Sequence, residues 1–266
     1  MTSEIRALDK EIAELTLRVA RPLIWHDRTK GWPKRLDGAT CFFLRFEQRV
    51  IGVTADHVVS AYKKAIVANK NTVCQLRNSP VFDLLAAIIA RDTKRDIATF
   101  AVSEDVLAHI DAIPLDCRAS WPPPEPPELS SLSACGFPES MRKTYPDRSA
   151  EFPAWGALAA VACITPDEIL ITYDPKSVER VSWGPALPQV GFNMSGCSGG
   201  PVLAHGTRNG LHRWFAVGLI AQGPSEHNKQ GIAAEFDMIR LSRIDSIQPD
   251  GTITQPTEDK GGWLPR

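Results

Sequence analysis

The 266 residues lack a surplus of charge of either sign: 30 Lys and Arg stand against 31 Asp and Glu, for a net charge of −1. Without a basic run a phosphate-backbone partner is disfavoured, so nucleic acid is not an expected ligand. No apolar stretch is long enough to cross a membrane as a helix. The start, "MTSEIRALDKEIAELTLRVARPLIW", also lacks the basic-then-apolar order of a signal peptide. These absences predict a cytoplasmic protein with no membrane partner. CxxC pairs are missing as well. Cys41, Cys74, Cys117, Cys135, Cys163 and Cys197 are scattered singly, without clustered histidines, so no metal site and no cofactor are expected. Most of them lie in apolar runs such as "TCFFL", "LSACGF" and "AAVACI", the setting of a free buried thiol.

What is present begins with a helical pattern over 1–21. Ile5, Leu8, Ile12, Leu15 and Val19 recur at spacings of three and four, Ser3 suits the N-cap, and Pro22 marks the end. Short β-like segments follow over 22–120: "TCFFLRF", "RVIGVTA", "KAIVA", "TVCQLR" and "DIATFAV". "VFDLLAAIIA" fits strand or helix. Over 121–130 the prolines of "WPPPEPPELSS" cannot donate ladder hydrogen bonds, so this stretch reads as a connector. The strand rhythm resumes over 131–247 with "LSACGFPES", "GALAAVACI", "EILITYD", "GPVLAHG", "RWFAVGLIAQG" and "GIAAEF". It closes on "DMIRLSRIDSIQ", where Asp237 could cap a short helix lined by Met238, Leu241 and Ile244, and a tail over 248–266 remains. Two sets of short strands about a Pro-rich connector predict a mostly β, two-barrel architecture.

Three stretches carry the chemistry. In "VGFNMSGCSGGPVLAHG", Cys197 and Ser198 are adjacent and either has a nucleophilic side chain, while the glycines equally suit a turn with no chemistry. In "GVTADHVVSAY", His57 stands where an apolar strand ends, a place from which a ring can be aimed into a cleft. In "KRDIATFAV", Asp96 precedes a buried-strand pattern; Asp92 is a rival without the apolar run directly behind it. Acyl transfer by a serine needs a base, an acid that orients the base, and paired N–H donors for the oxyanion. One candidate for each is at hand.

"TADHVV", "RDIATFAV" and "GCSGGPV", in the order His, Asp, Ser, resemble the three signature blocks of trypsin-like serine proteases. "GFPES" is similar to the turn that opens the second barrel in bacterial, HtrA-like members. "FAVGLIAQG" with "GIAAEF" is similar to the strands that wall the substrate pocket. The resemblance spans roughly 35–245. It implies two six-stranded-type antiparallel barrels, the first with His57 and Asp96, the second with Ser198. It further implies a serine endopeptidase acting on protein or peptide substrates. Ser198 would be the nucleophile, His57 the base, Asp96 its orienting acid, and the N–H groups of Gly196 and Ser198 the oxyanion hole. Phe192 would form the floor of the primary pocket and Gly223 and Gly231 its open walls, which suits apolar or small residues.

The pattern is also broken in places. Cys197 replaces the acid that, in secreted trypsins, receives a newly cut N-terminus, so activity without N-terminal processing is expected. Val58 replaces a cysteine, Asp56 replaces a small residue before the histidine, and the tail is too short for a PDZ domain. A regulatory protein partner, or a catalytically silent barrel kept as a binding module, are the alternatives.

Overall fold

The computed structural model describes residues 14–16, 18–31, 36–47, 49–126, 131–147, 149–173, 193–208, 211–223 and 237–254. Runs of apolar and small residues dictate its first sheet. β1 (Arg21–Asp27) and β2 (Asp37–Arg45) pair antiparallel, and β3 (Val50–Thr54) is buried along its whole length. β2 pairs with β1 through Asp37–Cys41 and with β3 through Phe42–Arg45. α1 (Asp56–Ala68) leads to β4 (Thr72–Leu76), and the one-turn α2 (Leu84–Ala87) runs into β5 (Ile88–Asp92). β6 (Ile97–Ala101), α3 (Glu104–Ile110) and the two-residue β7 (Leu115–Asp116) complete this half. The hydrogen-bonded order is β4-β1-β2-β3-β6-β5, with β7 parallel to β2. Leu23, Phe42, Val53, Leu76, Ile97 and Phe100 meet in one core.

The second half is a closed barrel. β8 (Ser131–Gly136) is followed by the short pair β9 (Lys143–Thr144) and β10 (Ala150–Glu151). Then come β11 (Trp155–Ile164), β12 (Glu168–Tyr173), β13 (Pro201–Arg208), β14 (Leu211–Gln222) and β15 (Asp237–Arg243). Its six strands close in the order β11-β12-β15-β14-β13-β8. Leu132, Val161, Ile169, Val202, Ile239 and Leu241 fill it, inward residues alternating with outward ones as the pleat requires. Leu203, Leu219, Ala221 and Ile244 of this half pack against the core of the first, so the two halves share an apolar seam. The chain is thus mostly β with few helices, the layout of a chymotrypsin-like double barrel. Closure by hydrogen bonds, among the described residues, is confined to the second half.

Two sequence expectations are corrected. The terminal helix on "DMIRLSRIDSIQ" is instead strand β15 and a turn. The spacing of Met238, Leu241 and Ile244 skips Ile239, and it is Ile239 and Leu241, two apart, that enter the core. "KAIVA" is the last turn of α1 rather than a strand, because Val58, Val59 and Tyr62 bury one face of a continuous helix. "VFDLLAAIIA" is both elements in succession. β1 was not foreseen, since Pro22 reads as a helix stop. Of the N-terminal helix, residues 14–16 and 18–19 are helical, and Thr16 hydrogen-bonds Ser133 of the other half at 2.7 Å. Its first 13 residues lie outside the described ones.

The turn between β5 and β6 is tied down at both ends. The N–H groups of Lys94 and Arg95 donate to Asp92 Oδ1 at 2.9 and 3.0 Å, and Arg95 Nε donates to Asp92 Oδ2 at 2.7 Å. Arg95 Nη2 also donates to the Thr254 carbonyl at 2.5 Å, and Thr99 Oγ1 to that of Gly251 at 2.6 Å, clasping the last described residues to the first sheet. Desolvation pushes the Asp92 carboxyl up, but the Arg95 and Lys94 donors outweigh it and hold it below its ordinary value. Its contribution is therefore complete above the unfolded carboxyl's range, about pH 4, and is lost as pH falls through the lowered folded value. Asp92→Ala leaves a buried guanidinium uncompensated, at a cost of about 3–5 kcal/mol. Urea unfolding at neutral pH is expected to show that loss, with the wild-type advantage shrinking below about pH 4; equal stabilities at neutral pH would contradict it.

Candidate active site

His57 is the second residue of α1, where backbone N–H groups have no partner inside the helix. Asp96 supplies one: the His57 N–H donates to Asp96 Oδ1 at 2.8 Å. The same carboxylate lies 2.7 Å from His57 Nδ1 through Oδ2. A carboxylate only accepts, so Nδ1 carries the hydrogen and the neutral ring's lone pair falls on Nε2, the nitrogen turned from Asp96. The His57 side chain is half exposed, whereas that of Asp96 is largely covered. Asp96 has φ 57°, in the left-handed region that Asp tolerates better than most residues. The rival Asp92 is buried and spent on the turn that creates this conformation.

Asp56 anchors the backbone that carries His57. Its buried carboxylate is gripped side-on by Arg91 of β5, Nε to Oδ1 at 2.5 Å and Nη2 to Oδ2 at 3.0 Å. Arg91 Nη2 also donates to Ser60 Oγ at 2.6 Å, fixing the first turns of α1 against the sheet. The hydrogen bonds that Arg91 donates to Asp56 raise its guanidinium above the ordinary value.

Ser198 lies in the loop before β13. Gly196 and Gly199 have φ of 96° and 81°, which L-residues rarely adopt, and a Cβ at Gly199 would sit 2.3 Å from the Thr40 carbonyl oxygen. The loop turns its amides in a definite pattern. Ser195 N–H donates to Asn193 Oδ1, Cys197 N–H to the Met194 carbonyl, Gly199 N–H to that of Ile220 and Gly200 N–H to that of Cys197. The N–H groups of Gly196 and Ser198 have no acceptor among the described residues, nor do those of Asn193 and Met194 at the start of the loop. Met194 and Cys197 pack into the barrel core.

The part that sequence reasoning missed is Thr40 of β2. Its hydroxyl donates to the Gly196 carbonyl at 2.7 Å and accepts from Phe137 N–H at 3.0 Å. Its N–H donates to the Ser198 carbonyl at 3.0 Å. A threonine ahead of an apolar run carries no sign of this role. Arg91 was missed too, although an arginine inside "AAIIARD" is a signal that it has a buried partner.

His57, Asp96, Ser198, Met194 and Gly223 line one open cleft of about 510 Å³. The Ser198 hydroxyl makes no hydrogen bond to the imidazole, and such bonds are often long without substrate and tighten with it. Gly223 borders Met194, whose Cβ would lie 2.9 Å from any Cβ placed there. Phe192 and Gly231 lie outside the described residues. Cys197 is fully buried and desolvation holds its thiol well above the ordinary range, so it is no nucleophile in this state.

No family model matches the chain, and no curated protein matches it. Among the solved structures that match is the crystal structure of a thermostable serine protease, AL20, from an extremophilic microorganism. It is 10% identical, with a TM-score of 0.44, over 87% of this chain and 92% of that one. At that identity and score the likeness carries no weight for the site.

Alkylation separates the two adjacent candidates. Iodoacetamide at about pH 8 is expected to modify exposed Cys163 in the native protein and to spare Cys197. All six cysteines should react after unfolding. Rapid native modification of Cys197, read by peptide mass spectrometry, would contradict the buried placement.

Proposed function

We propose that the chain is a serine endopeptidase of the trypsin-like, HtrA-like kind, acting through Ser198, His57 and Asp96. One observation carries the reading: the His57–Asp96 pair and Ser198 line one cleft, and the N–H groups of Gly196 and Ser198, the pair such an enzyme needs for its oxyanion, have no acceptor among the described residues. In this mechanism Ser198 Oγ attacks the scissile carbonyl carbon while His57 Nε2 takes its proton. The carbonyl oxygen, now an anion, is received by the two amides, preformed donors that need no reorganisation as charge develops. Asp96, held by two His57 N–H groups, keeps the ring in the productive tautomer and stabilises the imidazolium. The imidazolium then protonates the leaving amine, the acyl-enzyme remains on Ser198, and water, deprotonated by His57, hydrolyses it.

The substrate backbone has a natural track. The N–H and carbonyl of Ile220 are engaged by Gly200 and Gly199, and beyond them β14 runs on along the cleft to Gln222. An extended peptide laid there would add a strand to that edge. Cleavage after apolar or small residues is part of the proposal and rests on Phe192. A reducing, cytoplasmic setting is proposed as well, in which six free thiols are stable.

The missing Ser198–His57 hydrogen bond favours a second reading, a silent barrel that binds peptides or waits for a protein partner. A fluorophosphonate probe decides. Covalent labelling at Ser198, abolished in Ser198→Ala together with hydrolysis of a peptide library, is expected. The loss in turnover for a triad serine is on the order of 10⁶. A folded protein that no probe labels, with or without added lysate, would overturn the enzymatic reading.

A further inference from the structure

One cation in the cleft is unused by the mechanism above. Arg240 lies on β15 between Ile239 and Leu241, whose side chains enter the barrel, so its own stands on the outer face. There it is opposite Gln222 of β14 on one side and Leu170 of β12 on the other, and it lines the cleft with Thr93, His57 and Ser198. A guanidinium carries five N–H donors. Glu168 Oε1 engages Nη1 at 2.7 Å, and this is the one hydrogen bond that Arg240 makes among the described residues. Nε is buried without any acceptor. The Nε–Nη2 edge, the one that takes a carboxylate side-on, is therefore unfilled, and leaving a buried donor unmade is costly.

The other charges at this end of the cleft are committed. Asp96 has both oxygens on His57, and Lys94 pairs with Asp167 at 3.3 Å. Glu168 engages Nη1 alone, and the Arg240 side chain is itself over a third exposed, with Nη2 neither enclosed nor hydrogen-bonded among the described residues, so Nη2 is the donor left for a second acceptor.

We propose that the cleft selects substrates bearing a carboxylate, received by Arg240 on the side lined by Thr93 and Gln222. The proposal rests on the peptidase reading for what becomes of the substrate but not for how it is bound. The acidic group is an Asp or Glu side chain of an extended peptide lying along β14. Glu168 is its competitor, holding the guanidinium in place when the cleft is empty.

The test uses a quenched-fluorescent peptide library in which each position carries Glu or Gln. Wild-type protein is expected to cleave Glu-bearing members about 10- to 100-fold faster than their Gln partners at one position, the worth of a charge-assisted hydrogen bond. Arg240→Gln should remove that preference, so that Glu and Gln members are cleaved at the same rate. Glu168→Gln, which keeps the arginine, should enlarge it. The same peptides are titrated by fluorescence anisotropy against Ser198→Ala, which binds without turnover. Tighter binding of Glu than Gln members there supports the proposal even if nothing is cleaved, in which case only the peptidase reading falls. Equal treatment of Glu and Gln at every position in both assays, or a Glu preference that survives Arg240→Gln, overturns it.

Discussion

Thr40 is the residue on which the site depends. It belongs to β2 in the first sheet, is fully buried, and uses its N–H and both sides of its hydroxyl on the second half: Ser198 carbonyl, Gly196 carbonyl and Phe137 N–H. Its own carbonyl accepts from Thr54 Oγ1 at 2.8 Å. Each bond is worth only about 1 kcal/mol net, but any one left unmade at this depth costs about 1–3 kcal/mol. The geometry is therefore all-or-none. Thr40 thereby holds the carbonyl side of the Gly196–Ser198 loop.

The rest of the site follows from the same seam. One half supplies His57 and Asp96, each fixed by an ion pair: Asp56 with Arg91 for the start of α1, Asp92 with Arg95 for the turn that presents Asp96. The other supplies Ser198 and the glycine turn around it. Neither half holds a complete set, so rigidity of the interface is rigidity of the site. Three layers of fixation, core packing of Met194 and Cys197, hydrogen bonds from Thr40, and the Glu139 N–H on the Ser195 carbonyl at 2.7 Å, leave the loop little freedom to relax.

Much of this was legible in the residues. Short β-branched runs separated by turn residues announce a mostly β fold, and "GCSGGPV" announces a glycine-dependent turn around a nucleophile. Asp96 could be chosen over Asp92 because the apolar run starts directly behind it. What was not legible depends on long-range partners. Thr40 looks like any strand threonine, since its partners are about a hundred residues and more away in sequence. "DMIRLSR" suits either period until one knows that Ile239 and Leu241 share a core. Arg240 on the same segment is invisible as a cleft residue for that reason. Pro22 misleads because it is tolerated in β1, where a strand's first residues need not donate at every position.

The role of Ser198 turns on where an electrophile bonds and which amides receive its oxygen. A crystal structure with a peptide boronic acid puts both on view. The expected result is boron bonded to Ser198 Oγ, one boronate oxygen within ~3 Å of the N–H groups of Gly196 and Ser198, and His57 Nε2 facing the other. A boronate bonded elsewhere, or a Ser198 adduct whose oxygen points away from those two amides, would contradict it.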